Sequence, residues 1–210
     1  MRFSRFLVVS LLLALPTVAA ADVQDARKPI EQLYGVLIEC LKDADALGLE
    51  GRRAKIGPAV QAGYDLPFMA EKILGRHWDS LSEANRARWI ETFGNLTVAT
   101  YAERMTGFTG QVFEVLKVEP SKRDTAVVYS QVVTPKEVPI AINYRMRADG
   151  DGWRIIDVYL NGTVSELALR RSEYAAVLQR DGFEKLVASI DDKIKAGKIA
   201  GESVPASQTR

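Results

Sequence analysis

Very few residues in this sequence have the chemistry of a catalyst. His77 is the only histidine, and it lies in the run Gly-Arg-His-Trp just past the predicted end of a helix. A metal site would need carboxylate partners at a recognisable spacing, and the sequence has none, so we interpret His77 as a structural or surface residue. A serine hydrolase would also have to use His77, but no serine stands in a Gly-x-Ser-x-Gly turn. The sequence therefore predicts no catalytic residue and no metal ligand.

Motifs for nucleotides and calcium are also absent or incomplete. Neither a Gly-x-x-x-x-Gly-Lys loop nor a Gly-x-Gly-x-x-Gly turn occurs, so no cofactor is expected. Residues 149–152, Asp-Gly-Asp-Gly, begin like a calcium loop, but the later ligands are missing, which favours a hairpin turn. Cys40 is the single cysteine, which excludes an internal disulfide framework and a multi-cysteine zinc site.

The composition is typical of a globular protein. The 210 residues carry 28 Lys and Arg against 27 Asp and Glu, a formal net charge of +1, and 47% of them are hydrophobic. Proteins held by phosphates normally show a basic excess, so nucleic acid is not an expected partner. The length is ample for one hydrophobic core.

The first residues have the three-part pattern of a secretory signal peptide. A cationic start is followed by the apolar run Phe-Leu-Val-Val-Ser-Leu-Leu-Leu-Ala-Leu, then Pro16, then small residues up to Ala21. The apolar run is shorter than the roughly 20 residues that span a bilayer. We therefore expect cleavage before Asp22 and export of the mature chain.

The first helices are predicted from apolar residues at spacings of three and four. After Pro29 such residues form one stripe, which consists of Ile30, Leu33, Tyr34, Leu37, Leu41 and Ala44. Residues 51–62 form a weaker helical stretch, which we expect Gly57-Pro58 to break.

Four further helices are predicted, two before the strands and two after them. Asp65-Leu-Pro67 opens a short helix that ends near Gly75, and Ser82 caps the longest helix. Residues 165–179 and 182–195 form the last two helices.

Between the helices the hydrophobic period changes to two, which predicts β-strands. In the clearest strand Ile140, Ile142, Tyr144 and Met146 alternate with more polar residues, so one face is covered and the other is wetter. Short turns separate the strands, which makes neighbours antiparallel. The predicted strands are residues 111–119, 125–133, 139–147 and 153–160.

These elements predict an α+β fold in which helices pack on one face of a twisted, antiparallel, four-stranded sheet. We divide the chain into a signal peptide at residues 1–21, a single domain at residues 22–196, and a disordered tail at residues 197–210, which is polar and rich in small residues.

Two long motifs resemble a known family. The first half contains Tyr64-Asp-Leu-Pro-Phe-Met-Ala-Glu-Lys-Ile-Leu-Gly-Arg-His-Trp78, followed by a helix with Phe93 and then Thr100-Tyr101. The second half contains Val-Pro-Ile-Ala-Ile-Asn-Tyr-Arg from residue 138 and Gly-Trp-Arg-Ile-Ile-Asp-Val from residue 152. In this order the motifs resemble the toluene-tolerance/MlaC family of periplasmic lipid carriers, over residues 30–194.

One segment departs from the usual pattern of that family. Most members carry Glu-Gly-Val-Ser-Leu-Val after the last strand, ending in Asn-Tyr-Arg, whereas this sequence has Asn-Gly-Thr-Val-Ser-Glu-Leu-Ala-Leu-Arg-Arg-Ser-Glu-Tyr from residue 161. This variant is more similar to the hopanoid-associated branch, HpnM. The departure affects the identity of the lipid, which the resemblance leaves as phospholipid or hopanoid.

The resemblance implies a protein without enzymatic activity. It implies an apolar pocket for acyl chains between the helices and the sheet. It also implies a shuttle between an inner-membrane ABC transporter with an MCE-domain subunit and an outer-membrane lipoprotein partner. The alternatives are an exported adaptor whose helices leave no cavity, and a small enzyme that uses Asp157 as a pocket acid.

The predicted pocket lining combines apolar residues of the longest helix with residues of the strands. The alternative for each of these residues is plain core packing. The predicted lipid-binding residues are Phe93, Leu96, Tyr101, Val128, Tyr129, Ile140, Ile142, Tyr144, Met146, Ile155 and Tyr159.

Overall fold

The computed structural model describes residues 22–150 and 152–199. The predicted signal peptide and residues 200–210 lie outside this part of the chain. After a 3-10 turn at Val23–Ala26, the helices α1 Arg27–Lys42, α2 Ala44–Gly63, α3 Leu66–Leu74 and α4 Glu83–Arg104 precede the strands. The strands are β1 Val112–Ser121, β2 Thr125–Val133, β3 Ile140–Asp149, β4 Gly152–Leu160 and β5 Val164–Ser165, and α5 Glu166–Ala196 follows.

The first helices form where the sequence pattern places them, except that α2 begins at Ala44 instead of residue 51 and does not break at Gly57-Pro58. Every large residue of the predicted α1 stripe is buried. In α2 the helix continues through Pro58 to Gly63, so the predicted break at Gly57-Pro58 is wrong. Pro58 and Ala54 are both exposed, which lets water reach the carbonyl that proline leaves unbonded, while Ile56 and Val60 anchor both sides of it in the core.

Side-chain caps and one glycine set the limits of α3 and α4. The Asp65 carboxylate accepts a hydrogen bond from the Phe68 N–H at 3.1 Å, and the Ser82 hydroxyl accepts one from the Asn85 N–H at 3.2 Å. Gly75 ends α3 with φ of 54°, a conformation that disfavours a side chain.

The strands form a sheet in the order β1-β2-β3-β4-β5, in which every neighbouring pair is antiparallel. The α+β fold is therefore confirmed, with five strands among the described residues instead of the predicted four. The additional strand, β5, has two residues and pairs with the end of β4, so it is too short to show a period of two. Between β3 and β4 the register shifts by one residue, because Arg145 faces Asp157 while Met146 faces Ile155. This β-bulge has consequences for the site.

The last helix bends in the middle. Gly182 takes φ of 82° and ψ of 177°, so α5 consists of two helical parts, residues 166–181 and 183–196, close to the two predicted helices. Gly197 closes the second part in the left-handed conformation. Beyond it, Ile199 is buried and its N–H donates to the Glu103 carboxylate at 2.7 Å. Residues 197–199 of the predicted tail therefore pack against α4, and the rest of the predicted tail lies outside the described residues.

The helices and the helix-facing side of the sheet enclose the core. Trp89 is fully buried at its centre and donates its indole N–H to the Ala70 carbonyl at 2.9 Å. At the sheet end of the core, the Trp153 indole donates to the Asp22 carbonyl at 2.9 Å. Within the described ranges, no helix has the length and hydropathy needed to span a bilayer.

Asp157 fixes the start of α5 against β4. Its carboxylate accepts hydrogen bonds from the Val158 N–H at 2.8 Å, the Ser165 hydroxyl at 2.7 Å and the Leu167 N–H at 3.1 Å. Burial raises the pKa of this carboxyl, and the hydrogen bonds oppose that shift. All three donors are used for structure, which does not support Asp157 as the acid of an enzyme.

We expect Asp157→Ala to lower the free energy of unfolding by about 3 kcal/mol, because it leaves several donors without their charged acceptor. Urea unfolding followed by circular dichroism measures the change. Asp149→Ala removes an exposed ion pair with Arg154 and should cost less than about 1 kcal/mol. Equal losses in the two variants would contradict the anchoring role of Asp157.

Candidate functional site: a cavity between the helices and the sheet

A cavity of about 70 Å³ lies between α3, α4, the sheet and the start of α5. Each of these elements contributes side chains to its lining, because the helices pack across the covered face of β3 and β4. The lining residues are Tyr64, Met69, Phe93, Thr97, Thr100, Tyr101, Arg104, Ile142, Tyr144, Val158, Leu160, Glu166 and Arg170.

Three tyrosines, Tyr64, Tyr101 and Tyr144, line this cavity, and Tyr34 packs against one of them from outside the lining. The Tyr64 and Tyr101 hydroxyls are 2.6 Å apart and share a hydrogen bond, and their rings meet edge to face. The Tyr34 ring packs against the Tyr144 ring with centroids 6.0 Å apart, and its hydroxyl is 2.6 Å from the Ser130 hydroxyl. We call Tyr34, Tyr64, Tyr101 and Tyr144 the tyrosine cluster.

The tyrosine cluster is uncharged near neutral pH. Burial raises the pKa of Tyr34 to about 12 and raises the pKa values of Tyr64, Tyr101 and Tyr144 as well. The wall hydroxyls of α4 are also satisfied, since Thr97 donates to the Phe93 carbonyl at 2.9 Å. This side of the cavity therefore offers ring faces and paired hydroxyls, which suits an apolar ligand.

Charged groups occur on the α5 side of the cavity. Arg170 donates from Nε to the Glu166 carboxylate at 2.8 Å and from a second guanidinium nitrogen to the Tyr174 hydroxyl at 2.9 Å. Both Arg170 and Glu166 are largely buried, and Oε2 of Glu166 has no hydrogen-bond partner among the described residues. All three side chains belong to the first part of α5.

Nothing in this arrangement resembles a catalytic or metal centre. Glu166 is the carboxylate of the wall, and it is paired with Arg170. No group of three His, Cys, Asp or Glu side chains in residues 22–150 and 152–199 is placed to hold a metal ion. His77 lies in the 3-10 turn Gly75–Ser80, outside the cavity lining, and Cys40 is a buried free thiol in α1.

The structure brings four of the predicted lining residues together around the cavity: Phe93, Tyr101, Ile142 and Tyr144. Val128, Met146 and Ile155 are fully buried on the same side of the sheet, but they do not line the cavity. Leu96 lines a different cavity, between α4 and α5. Ile140 is 48% exposed at the beginning of β3.

Two predicted lining residues lie on the opposite face of the sheet. Val128 pairs with the cavity residue Tyr144, so Tyr129 must point away from the helices, where it lies under the Lys117 ammonium. Tyr159 pairs with Asn143 and also points away. The reason in β4 is the bulge, which shifts the alternation by one residue.

The same bulge explains which β4 residues the prediction missed. Val158 and Leu160 pair with Tyr144 and Ile142 and share their face, so they replace Tyr159 in the lining. Arg104, Glu166 and Arg170 reach the cavity through helix packing, which local periodicity does not show. Tyr64 and Met69 belong to the first sequence motif, which was the available signal for both of them.

Comparison with known proteins links this fold to lipid-binding proteins. The chain matches the family model described as MlaC protein over residues 31–192. It is 22% identical over 130 residues to the intermembrane phospholipid transport system binding protein MlaC of Haemophilus influenzae, and the match spans 60% of each chain.

A solved structure has the same fold. It is a phospholipid-binding protein from Ralstonia solanacearum in complex with a phospholipid, with a TM-score of 0.71 and 21% identity, and the match covers 82% of this chain and 98% of that one. The predicted resemblance is thus confirmed at the level of the family, while the hopanoid branch stays a prediction. Because the family model covers most of its length, the chain belongs to the MlaC family.

Proposed function

We propose that this protein binds a lipid and carries it, as the exported component of an ABC transport system, between the inner and the outer membrane. The observation that carries this proposal is the cavity between the helices and the sheet of an MlaC-family fold, whose wall is mostly aromatic and aliphatic and has an ion pair on its α5 side. The relative from Haemophilus influenzae is named for intermembrane phospholipid transport, which supports the same role.

The energetics of lipids explain the need for such a carrier. Exposing a two-chain lipid of roughly 30 methylenes to water costs about 0.8 kcal/mol per methylene, or on the order of 25 kcal/mol as an upper bound. A free lipid therefore does not cross an aqueous compartment at useful rates. An apolar cavity wall gives the acyl chains contacts like those in the bilayer interior. Because such contacts are non-directional, the wall also accepts chains of varied structure.

The cavity must widen before it can hold a lipid. Its 70 Å³ is well below the roughly 300–1,000 Å³ of small-molecule sites. The first part of α5 is the wall that we expect to move, because only Arg170 and Leu178 are buried in it. It is bounded by Gly162 and Gly182, which both have positive φ.

Two lipid classes fit this proposal. The Haemophilus relative and the Ralstonia structure are both named for phospholipid, which favours a phospholipid. The segment from Asn161 to Tyr174 resembles the hopanoid-associated branch, which favours a hopanoid. The partners proposed for either lipid are an MCE-domain subunit at the inner membrane and a lipoprotein at the outer membrane, with export by the signal peptide at residues 1–21.

The test is the identity of what copurifies with the protein. We expect the full-length gene product, expressed in a Gram-negative host and purified from the periplasm without detergent, to release close to one lipid per chain into organic solvent. Mass spectrometry of the extract distinguishes a diacyl lipid from a triterpenoid. A protein free of lipid after purification, and unable to take up lipid from vesicles, would favour the adaptor and contradict the proposal.

A further inference from the structure

A second cavity, of about 380 Å³, lies between α4 and both parts of α5. We call it the α4–α5 cavity. Its apolar wall consists of Leu96, Val177, Leu186, Ile190 and Ile199. Leu96, Leu186, Ile190 and Ile199 are each almost fully buried. The exposed Glu173 and Ser189 mark its solvent side. The volume lies within the usual range of small-molecule sites, whereas the cavity beside the sheet is several times smaller.

Arg170 separates the two cavities. Its side chain lines both of them, and it is held in place by Glu166 and the Tyr174 hydroxyl. These three residues lie on one side of the first part of α5, at spacings of four. Glu166 and Tyr174 belong to the same helix as Arg170. A movement of α5 therefore keeps the ion pair between Arg170 and Glu166 intact.

One wall of the α4–α5 cavity is aliphatic and mostly buried, and the rest of its lining is polar or charged: Arg170, Glu173, Tyr174, Ser189 and Lys193. A buried water needs two to four polar partners, which the aliphatic side chains named above do not provide. A saturated chain makes the same contacts with all of them.

We propose that the α4–α5 cavity takes the distal end of an acyl chain whose lipid is held beside the sheet, and that Arg170 is the partition displaced when the chain enters. The inference rests on the proposed function, because it requires a bound lipid. It makes the α4–α5 cavity a determinant of chain length and assigns Val177 to the terminal methylenes.

The experiment measures affinity against chain length. Saturated phosphatidylglycerols of increasing chain length compete with a fluorescent fatty-acyl phospholipid for the wild-type protein, for Val177→Trp and for Ala176→Trp. Val177→Trp fills the α4–α5 cavity, and Ala176→Trp places the same ring on the exposed side of the helix one residue away.

Each methylene buried by the protein should raise affinity by about fourfold. We expect the wild type and Ala176→Trp to continue this rise to the longest chains, and Val177→Trp to match them for short chains and then to level off. If Val177→Trp follows the wild type over the whole series, the chain does not enter the α4–α5 cavity and the inference is overturned. If the wild type binds none of these lipids, the proposed phospholipid carrier fails first.

The partition is tested by a second variant, because apolar side chains of similar size often replace a buried ion pair without loss of stability. In Glu166→Leu/Arg170→Met no polar partition has to move, so we expect the ratio of the long-chain to the short-chain association rate in stopped-flow mixing to rise at least about tenfold. An unchanged ratio in a folded variant would overturn the role of Arg170.

Discussion

Ile142→Asp is expected to abolish lipid loading while the protein stays folded. Ile142 lines the cavity from the middle of β3 and pairs with Leu160 across the sheet. A carboxylate at this position would be desolvated against acyl chains, since the Arg170 guanidinium of the same cavity is already paired with Glu166. An unpaired charge against hydrocarbon costs at least about 3 kcal/mol, which lowers lipid affinity by more than about 100-fold. Tyr144→Asp should also block loading, but Tyr144 is fully buried, so that variant tests the fold at the same time.

The control for Ile142→Asp is Val127→Asp. Val127 is partly buried on the opposite face of the sheet and pairs with Arg145, so the new carboxylate lies beside a guanidinium. Both variants are purified from the periplasm, checked by circular dichroism, and extracted for mass spectrometry. We expect lipid in Val127→Asp and none in Ile142→Asp. Full lipid content in a folded Ile142→Asp would show that the ligand does not contact this face of the sheet.

Regular periodicity predicted the parts of the site that lie on regular elements. The alternation of Ile140, Ile142, Tyr144 and Met146 identified the covered face of β3, and two of these residues line the cavity. The stripe of α1 identified its buried face in the same way. In each case one face is covered along the whole element, so local sequence contains the information.

The missed parts of the site depend on contacts between distant segments. The bulge opposite Arg145 is a feature of the pairing of two strands, and it exchanges Tyr159 for Val158 and Leu160. Arg170 reaches both cavities only because α5 folds back over α4. In the sequence of α5 alone, Glu166 and Arg170 look like an ordinary pair of opposite charges four residues apart on an exposed helix. A solvated pair and a buried partition have the same sequence signature.

From the raised pKa values of the tyrosine cluster and Tyr174 we expect the free energy of unfolding to fall steeply at alkaline pH. In the folded protein burial raises the pKa of Tyr34 to about 12, and it raises the pKa values of Tyr64, Tyr101, Tyr144 and Tyr174. In the unfolded chain these hydroxyls ionise near their ordinary value of about 10. Above that pH the folded state therefore binds more protons than the unfolded state. Stability is complete below pH 10 and falls as the pH rises toward the folded values.

The size of the effect follows from linkage. Each tyrosine that stays protonated in the folded state lowers the free energy of unfolding by about 1.4 kcal/mol per pH unit, so Tyr34 alone accounts for about 3 kcal/mol between pH 10 and 12. Several such groups together approach the 5–15 kcal/mol that is typical of a domain. We expect the helical circular dichroism to be lost in one step near pH 11, together with a rise in tyrosinate absorbance.

Tyr34→Phe isolates one member of the tyrosine cluster. It loses the hydrogen bond with the Ser130 hydroxyl, so it should be less stable by about 1 kcal/mol at neutral pH. Above pH 10 its free energy of unfolding should fall less steeply than that of the wild type, by about 1.4 kcal/mol per pH unit, because one proton fewer is linked to folding. Urea titrations at several pH values, repeated in high salt to screen general charge repulsion, measure both slopes. Equal slopes, or tyrosinate absorbance that rises while the helices persist, would show that these hydroxyls reach water in the folded protein.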